Sequence, residues 1–236
     1  MEDYFDTQSL ARYLHITPEQ VQKMAERGKL PGRRISGHWR FERADIFHWF
    51  EDRIGLSTDQ ELRDYQQLLA KSDSGITDAS AVSMRNLVAP ELVWVGCPAR
   101  NKNALIVDLC RMVADTGRLW KPDEMAVAVR SREDLHPTAL ENGVALLHPR
   151  RSQASFFGDS FVALAITPSG LPCGGPRGVL TDIFFLIASG DDAFHLRLLA
   201  RLSRIVNQPD VLNDLRNVNN SIAACEVLYA ADDGLN

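Results

Sequence analysis

The sequence lacks the segments that mark membrane-spanning and exported proteins. No apolar run among its 236 residues approaches the roughly 20 residues that cross a bilayer. The start, Met1 to Tyr4, has neither the basic region nor the apolar core of a signal peptide. We therefore expect a cytoplasmic protein that has no membrane partner.

Cysteine is scarce and is never paired along the sequence. The cysteines are Cys97, Cys110, Cys173 and Cys225, so no C-x-x-C pair indicates a zinc site or a redox dithiol. We expect reduced packing residues, with no metal and no cofactor. A net charge of −5 excludes a chain that is basic over its whole surface, although an average can hide a local patch. The length and a hydrophobic content of 45% predict one or two domains with a substantial core.

The N-terminal segment, residues 1–55, contains such a basic patch. Gln8 to Leu14 has the spacing of a first helix, which Asp6 or Thr7 can cap. Thr17 to Gln20 form a capping box that starts a second helix. Two short helices this close together predict a helix-turn-helix.

Basic and polar side chains lie on the outward face of the second helix and in the segment that follows it. The second helix should end at Gly28, and Ser36-Gly37 can turn a hairpin between two short strands. A third helix, from Arg43 to Ile54, then packs on the first two. The candidates for contact with bases or phosphates are Gln20, Lys23, Arg27, Arg33, Arg34, His38 and Arg40.

Residues 4 to 54 resemble the excisionase-like and MerR-like winged helix-turn-helix domains. The resemblance rests on the two helices, on G-K-L-P-G-R-R-I-S-G-H-W-R-F as the wing and on A-D-I-F-H-W-F as the closing helix. It implies that the second helix enters the major groove of double-stranded DNA while the wing follows the backbone or the minor groove. The alternative is a winged helix used for protein contact, which the acidic Glu19 and Glu26 favour.

A polar segment, residues 56–83, separates this domain from the rest of the chain. Residues 57–71 predict a helix with one thin apolar stripe between Leu62 and Leu69. The stripe can lie on either domain or pair with its copy in a homodimer, and the sequence does not choose. Residues 72–80 are rich in small polar residues and predict a flexible connector.

The second domain, residues 84–236, alternates short apolar runs with amphipathic helices, which predicts an α/β sandwich. Two nearly continuous apolar runs indicate central strands that are covered on both faces: Ser160 to Ile166 and Thr181 to Ala188. Further elements are expected as a strand within Leu87–Val95, a strand at Val144–Leu147, and helices at about Lys102–Thr116, Pro122–Arg130, Ala193–Val206, Asp210–Asn217 and Ser221–Ala230. The expected fold class is α/β, with a small, mostly helical N-terminal domain joined to this sandwich.

His148 lies at the end of the predicted strand Val144–Leu147 and is followed by Pro149, Arg150 and Arg151. An imidazole flanked by arginines can take up and release an anionic group such as phosphoryl. The alternative for His148 is a capped strand end with solvated charges. His195 lies on the apolar face of its helix, where the alternative is a hydrogen-bonded core histidine.

From about Leu87 to Tyr229 the chain resembles the fructose/mannitol and nitrogen-related class of enzyme IIA domains of the bacterial phosphoenolpyruvate-dependent phosphotransferase system. The resemblance rests on Arg132-Glu133, Thr138, Gly143-Val144-Ala145, His148, Asp182 to Ile187, and His195-Leu196 with Leu198 to Leu202. It implies that His148 is phosphorylated, that Arg132 faces the phosphate, that His195 is the second active-site histidine and that Thr138 lines the site. Leu147 stands where the family usually has proline.

The two resemblances together leave three functions. The preferred one is a DNA-binding regulator whose His148 accepts phosphate from a histidine-containing phosphocarrier protein. The second is a relay that passes phosphate to a sugar permease, for which a DNA-binding domain would be superfluous. The third is a non-phosphorylated binding or sensing module that retains the fold.

Overall fold

The computed structural model describes residues 4–14, 16–43, 45, 46, 49, 82–150 and 153–235. The chain divides into two compact units, residues 1–79 and 80–236. The predicted linker helix and connector lie outside the described residues, as do Arg151 and most of the predicted third helix.

The N-terminal unit begins with the two helices that the sequence predicts. Helix α1, Thr7–Leu14, follows Asp6, whose carboxylate accepts the N–H of Ser9 at 2.6 Å. Helix α2, Pro18–Glu26, starts with the complete capping box of Thr17 and Gln20. Gly28 follows α2 at a φ of 66°, which ends the helix as predicted. The helix-turn-helix is thereby confirmed.

A hairpin follows the two helices, again as predicted. Its strands are β2, Arg33–Ile35, and β3, His38–Glu42, and both turn residues, Ser36 and Gly37, have positive φ. A strand that the sequence did not predict, β1, Tyr4–Phe5, pairs with β3 and makes a sheet of order β1-β3-β2. Two residues are too few to show the alternation from which strands are predicted.

The C-terminal unit is built on one four-stranded sheet. Its strands are β4, Val93–Val95; β5, Val144–Leu147; β6, Phe161–Leu171; and β7, Thr181–Ala188. Their order is β4-β6-β7-β5, so β6 and β7 are the central strands, as predicted. Because β5 runs parallel to β7, the carboxyl ends of these two strands meet at the same edge of the sheet.

Six α-helices in the described part of this unit accompany the sheet: α3, Met84–Leu87; α4, Lys102–Asp115; α5, Pro122–Leu135; α6, Asp192–Val206; α7, Pro209–Asn217; and α8, Ser221–Asp233. Buried side chains of α4 and α5 form one core with alternate residues of the strands, including Ala145, Ala163 and Phe184. Intervening residues such as Leu146 and Phe185 are also buried and point to the opposite face. The predicted α/β sandwich is confirmed.

Helix α5 continues to Leu135, so the prediction that it ends near Arg130 is wrong. The charged residues after Arg130 are typical of a solvent-exposed helix end, but Arg132 and Glu133 among them are buried. This extension places both residues on the helix rather than in a loop. No helix among the described residues is long and apolar enough to span a membrane.

Candidate functional site

The parallel pairing of β5 and β7 brings His148 and His195 together. His148 follows β5 directly, and His195 lies in the first turns of α6, which begins shortly after β7. The two imidazole rings meet edge to face, with their centroids 4.8 Å apart and their planes at 60°. Two histidines that are distant in the sequence therefore share one site at the carboxyl edge of the sheet.

The ring of His148 is oriented by its own strand. Only 2% of the residue is exposed, and its Nδ1 lies 2.7 Å from the carbonyl oxygen of Leu146. A carbonyl oxygen can only accept a hydrogen bond, so Nδ1 of the neutral ring carries the proton. Nε2 is then the nitrogen with a lone pair.

His195 is 8% exposed and is held by Ser189, the first residue after β7. Its Nδ1 lies 2.9 Å from Ser189 Oγ, and a hydroxyl can either donate or accept in that contact. Asp191 caps α6 by accepting the N–H of Phe194 at 2.9 Å. His195 is therefore a buried, hydrogen-bonded histidine that also contacts His148, close to the positive end of a helix.

Arg132 and Thr138 both anchor the short segment between α5 and β5. Arg132 is 2% exposed, and its Nη1 donates to the carbonyl oxygen of His136. Thr138 donates its N–H, at 3.0 Å, and its O–H to the carboxylate of Glu133. An isolated antiparallel bridge joins Ala139 to Ala145. The chain from Ala139 back to His136 therefore runs towards the end of β5 at which His148 lies.

Three residues of this region were missed by sequence reasoning as site residues: Lys102, Glu133 and Ser189. Glu133 has a wholly buried side chain, and Lys102 Nζ lies 3.2 Å from its Oε2. Charged helix residues usually face solvent, so no pattern marks Glu133 as buried. Ser189 could have been found, because residues at the carboxyl ends of neighbouring parallel strands commonly line sites.

The residue before His148 is a leucine that belongs to β5. Leu147 is fully buried and pairs with Leu186 in the ladder between β5 and β7. A leucine there extends the strand to the histidine itself, and the next residue, Pro149, is also buried. The departure from the family pattern thus leaves a regular strand end.

The four cysteines are free and buried. Burial raises the pKa of each thiol, and that of Cys110 to about 12. Among residues 4–14, 16–43, 45, 46, 49, 82–150 and 153–235, no group of three or more histidine, cysteine and acidic side chains is placed to hold a metal ion.

The candidate DNA-binding side chains Gln20 and Lys23 are exposed on α2, and Arg27 is exposed directly after it. Gln20 also serves the capping box, since its Oε1 accepts the N–H of Thr17 at 2.8 Å. This contact occupies one of the two acceptor positions of Oε1, and the amide donors of Gln20 are not used by it. Lys23 lies three residues after Gln20 on the helix, and Arg27 follows four residues later at the C-cap.

On the hairpin, Arg33, Arg34 and His38 are exposed and Arg40 is half-buried. Three of these four side chains have partners within the unit. Arg33 pairs with Glu42, the guanidinium of Arg34 lies 5.7 Å from the centre of the Trp39 ring, and that of Arg40 lies 3.9 Å from the centre of the Tyr4 ring. The guanidinium of Arg40 therefore stacks on a residue of β1, the strand that the sequence did not predict.

Two family models match the chain. The model described as "Phosphoenolpyruvate-dependent sugar phosphotransferase system, EIIA 2" matches residues 86–231, and a helix-turn-helix model matches residues 4–54. A curated nitrogen regulatory protein of Bradyrhizobium diazoefficiens is 29% identical over 147 residues, which are 61% of this chain and 92% of that protein.

Solved structures of enzyme IIA proteins have the same fold as the C-terminal unit. Escherichia coli IIA mannitol, in its complex with phosphorylated enzyme IIB, gives a TM-score of 0.54 at 20% identity, over 61% of this chain and 97% of that one. The crystal structure of the E. coli protein gives 0.53 at 21%, over 60% and 98%. Nitrogen regulatory protein IIA-Ntr of Neisseria meningitidis gives 0.52 at 18%, over 61% and 97%.

Proposed function

Because the chain belongs to the EIIA 2 family of the phosphoenolpyruvate-dependent sugar phosphotransferase system, we propose that His148 accepts a phosphoryl group from a histidine-containing phosphocarrier protein. One observation supports this most directly. The contact between His148 Nδ1 and the carbonyl oxygen of Leu146 leaves Nε2 as the nucleophilic nitrogen, in a ring that touches a second histidine.

In the proposed transfer, the lone pair of Nε2 attacks the phosphorus atom. The bond between phosphorus and the donor's imidazole breaks, and its electron pair returns to the donor ring. His148 keeps its Nδ1 proton, so the phosphorylated ring is cationic and its Nδ1–H bond to Leu146 becomes charge-assisted. Arg132 neutralises phosphate oxygens, and His195 donates to them near the N-terminus of α6.

The helix-turn-helix favours a regulatory role for this phosphate. We propose that the N-terminal unit binds double-stranded DNA and that phosphorylation of His148 changes its affinity. A phosphoryl group adds close to two negative charges at neutral pH, which is enough to rearrange a domain or subunit contact. A relay to a permease is the second candidate, because one structural relative was solved in complex with a phosphorylated enzyme IIB.

Phosphate transfer is tested with phosphoenolpyruvate, the general phosphotransferase proteins and the whole chain, followed by mass analysis. We expect one acid-labile phosphate on the wild type and none on His148→Ala. The control is His38→Ala, because His38 is an exposed histidine on β3 of the N-terminal unit, and this variant should acquire the same phosphate as the wild type. A wild type that acquires no phosphate would exclude the regulator and the relay together and leave a binding module.

The regulator and the relay are separated by DNA binding. We expect the affinity for DNA from the region upstream of the protein's own coding sequence to differ between the phosphorylated and unphosphorylated wild type. His148→Ala should show no such difference after the same treatment. Equal affinities of both wild-type forms would favour the relay.

A further inference from the structure

Glu133 on α5 is a buried carboxylate whose two oxygens are both engaged. Oε1 accepts the N–H of Thr138 at 3.0 Å and the Thr138 hydroxyl, and Oε2 lies 3.2 Å from Lys102 Nζ. The side chain of Glu133 is 0% exposed and that of Lys102 is 18% exposed. A buried charge pair contributes little net stability, since desolvation offsets the attraction. The contacts instead fix the positions of Thr138 and Lys102 relative to Glu133.

The direction of the Thr138 hydroxyl follows from its partner. An ionised carboxylate has only acceptors, so the hydroxyl proton of Thr138 points at Glu133. That proton cannot also be donated to a phosphate bound at His148. Thr138 therefore acts through its attachment to Glu133.

Two adjacent residues of α5 hold the two ends of one segment. Arg132 donates to the carbonyl oxygen of His136, and Glu133 accepts from Thr138. The same segment is bridged to β5 at Ala139 and leads back towards His148. The Arg132 guanidinium, which binds the carbonyl oxygen of His136, is thus linked through this segment to the place where Glu133 holds Thr138.

We propose that Glu133, held by Lys102, is a positioning residue for phosphoryl transfer: it fixes Thr138, and through the segment 136–138 it sets the place of the Arg132 guanidinium. This inference rests on the proposed function. A misplacement of about 1 Å at a reacting centre can slow a reaction on the order of a hundredfold. Neither Glu133 nor Lys102 needs to touch the phosphate for such an effect.

The first test is a matched set of substitutions at Thr138. Thr138→Val keeps the shape and removes the hydroxyl, and Thr138→Ser restores a hydroxyl. With a phosphorylated histidine phosphocarrier as donor, we expect Thr138→Val to lower kcat about tenfold or more, with KM unchanged, and Thr138→Ser to recover most of the rate. Thr116→Val is the control, because it removes a hydroxyl that binds the carbonyl oxygen of Val113 at the end of α4. Thr116→Val should accept phosphate with the kcat and KM of the wild type.

The second test combines Thr138→Val with Glu133→Gln. If both act through the same contact, the double variant should be about as slow as the slower single variant. Losses that multiply would show that Thr138 acts on the phosphate by itself and would overturn the proposal. A wild-type kcat in Thr138→Val would do the same. If the wild type acquires phosphate, either of these results overturns only the role of Glu133 and leaves the proposed function intact. If the wild type acquires no phosphate, the proposed function itself is wrong.

Discussion

Gly143 lies immediately before β5, the strand that leads to His148, and its φ of 85° lies in the region where a side chain is strained. A Cβ at this position would lie 2.8 Å from Arg216 Nη2 and 3.1 Å from Asp182 Oδ1. These two residues form a bidentate ion pair, so Gly143→Ala would strain the backbone and displace the pair. We expect a loss of more than about 2 kcal/mol in the free energy of unfolding, measured with urea.

Gly117 provides the control for Gly143. Its φ is 80°, but a Cβ there would have no neighbour within 4 Å. Gly117→Ala should therefore show only the backbone cost of about 1–2 kcal/mol. Equal losses in the two variants would mean that the contact with Arg216 and Asp182 adds nothing.

The thiol of Cys110 on α4 makes stability depend on pH, because burial raises its pKa to about 12 from 9.0. Between these two values the unfolded chain has lost the thiol proton while the folded chain keeps it, so stability falls as pH rises from about 9 towards 12. Cys110→Ala removes this dependence. We expect the stability difference between wild type and Cys110→Ala to be constant below about pH 8 and to fall above about pH 9.

Val113→Ala is the matched control for Cys110. Val113 is fully buried on the same helix and does not titrate. The stability difference between wild type and Val113→Ala should not change with pH. If the stability difference between wild type and Cys110→Ala were also independent of pH, that result would contradict the raised pKa of the Cys110 thiol.

At the scale of elements, α6 connects the site to the start of the C-terminal unit. His195 lies near its beginning, and Arg201, about two turns later, binds the carboxylate of Asp232 in α8. Asp232 also accepts the N–H of Met84, at 2.9 Å, and the Ser83 hydroxyl, at 3.3 Å. One buried carboxylate therefore ties the helix of His195 to the first turn of α3.

This arrangement predicts a large cost for Asp232→Asn. The substitution removes a buried negative charge that the guanidinium of Arg201 binds, and the side chain of Arg201 is itself only 12% exposed. We expect a loss of about 3 kcal/mol in the free energy of unfolding, measured with urea. Asp233→Asn is the control, because the neighbouring pair of Asp233 and Arg85 is exposed. It should leave stability nearly unchanged, and a similar loss in both variants would contradict the role of burial.

Most elements were predictable because they follow simple local patterns. The apolar run Val144–Leu147 is a strand, Thr17 caps α2 with Gln20, and Ser36-Gly37 turns the hairpin. Pro168 and Gly170 favour a break, yet β6 continues past them to Leu171 through a register shift. Strand pairing, which is set by tertiary contacts, overrode the local preference there.

The site was less predictable than the fold, because its geometry is made by long-range pairing. The contact between His148 and His195 depends on β5 lying beside β7, which no spacing in the sequence encodes. The apolar run Val144–Leu147 placed His148 at a strand end, but only the family resemblance led us to expect that the two histidines share one site. The burial of Glu133 could not be predicted at all, since its partners, Lys102 and Thr138, come from other segments.

At the scale of the whole molecule, a net charge of −5 is combined with a basic surface on the N-terminal unit. Lys23 is exposed on α2 and Arg27 directly after it, and Arg33 and Arg34 are exposed on β2. Charges on one face of a helix-turn-helix can neutralise DNA phosphates even when the chain as a whole is acidic. The proposed regulator therefore separates its two tasks, with DNA binding in one unit and the phosphoryl acceptor in the other.

DNA binding through this surface predicts a dependence on salt. Each phosphate contact that is lost reduces the magnitude of the negative slope of log K against log salt by about 0.9, because fewer counterions are released. We expect the double variant Arg33→Ala, Arg34→Ala to bind duplex DNA more weakly and with a flatter slope, measured by fluorescence anisotropy at several salt concentrations. Arg12→Ala is the control, since Arg12 is exposed on α1 and is not among the candidate residues. If the double variant keeps the wild-type affinity and slope, β2 does not contact DNA, and the hairpin is a surface for protein contact.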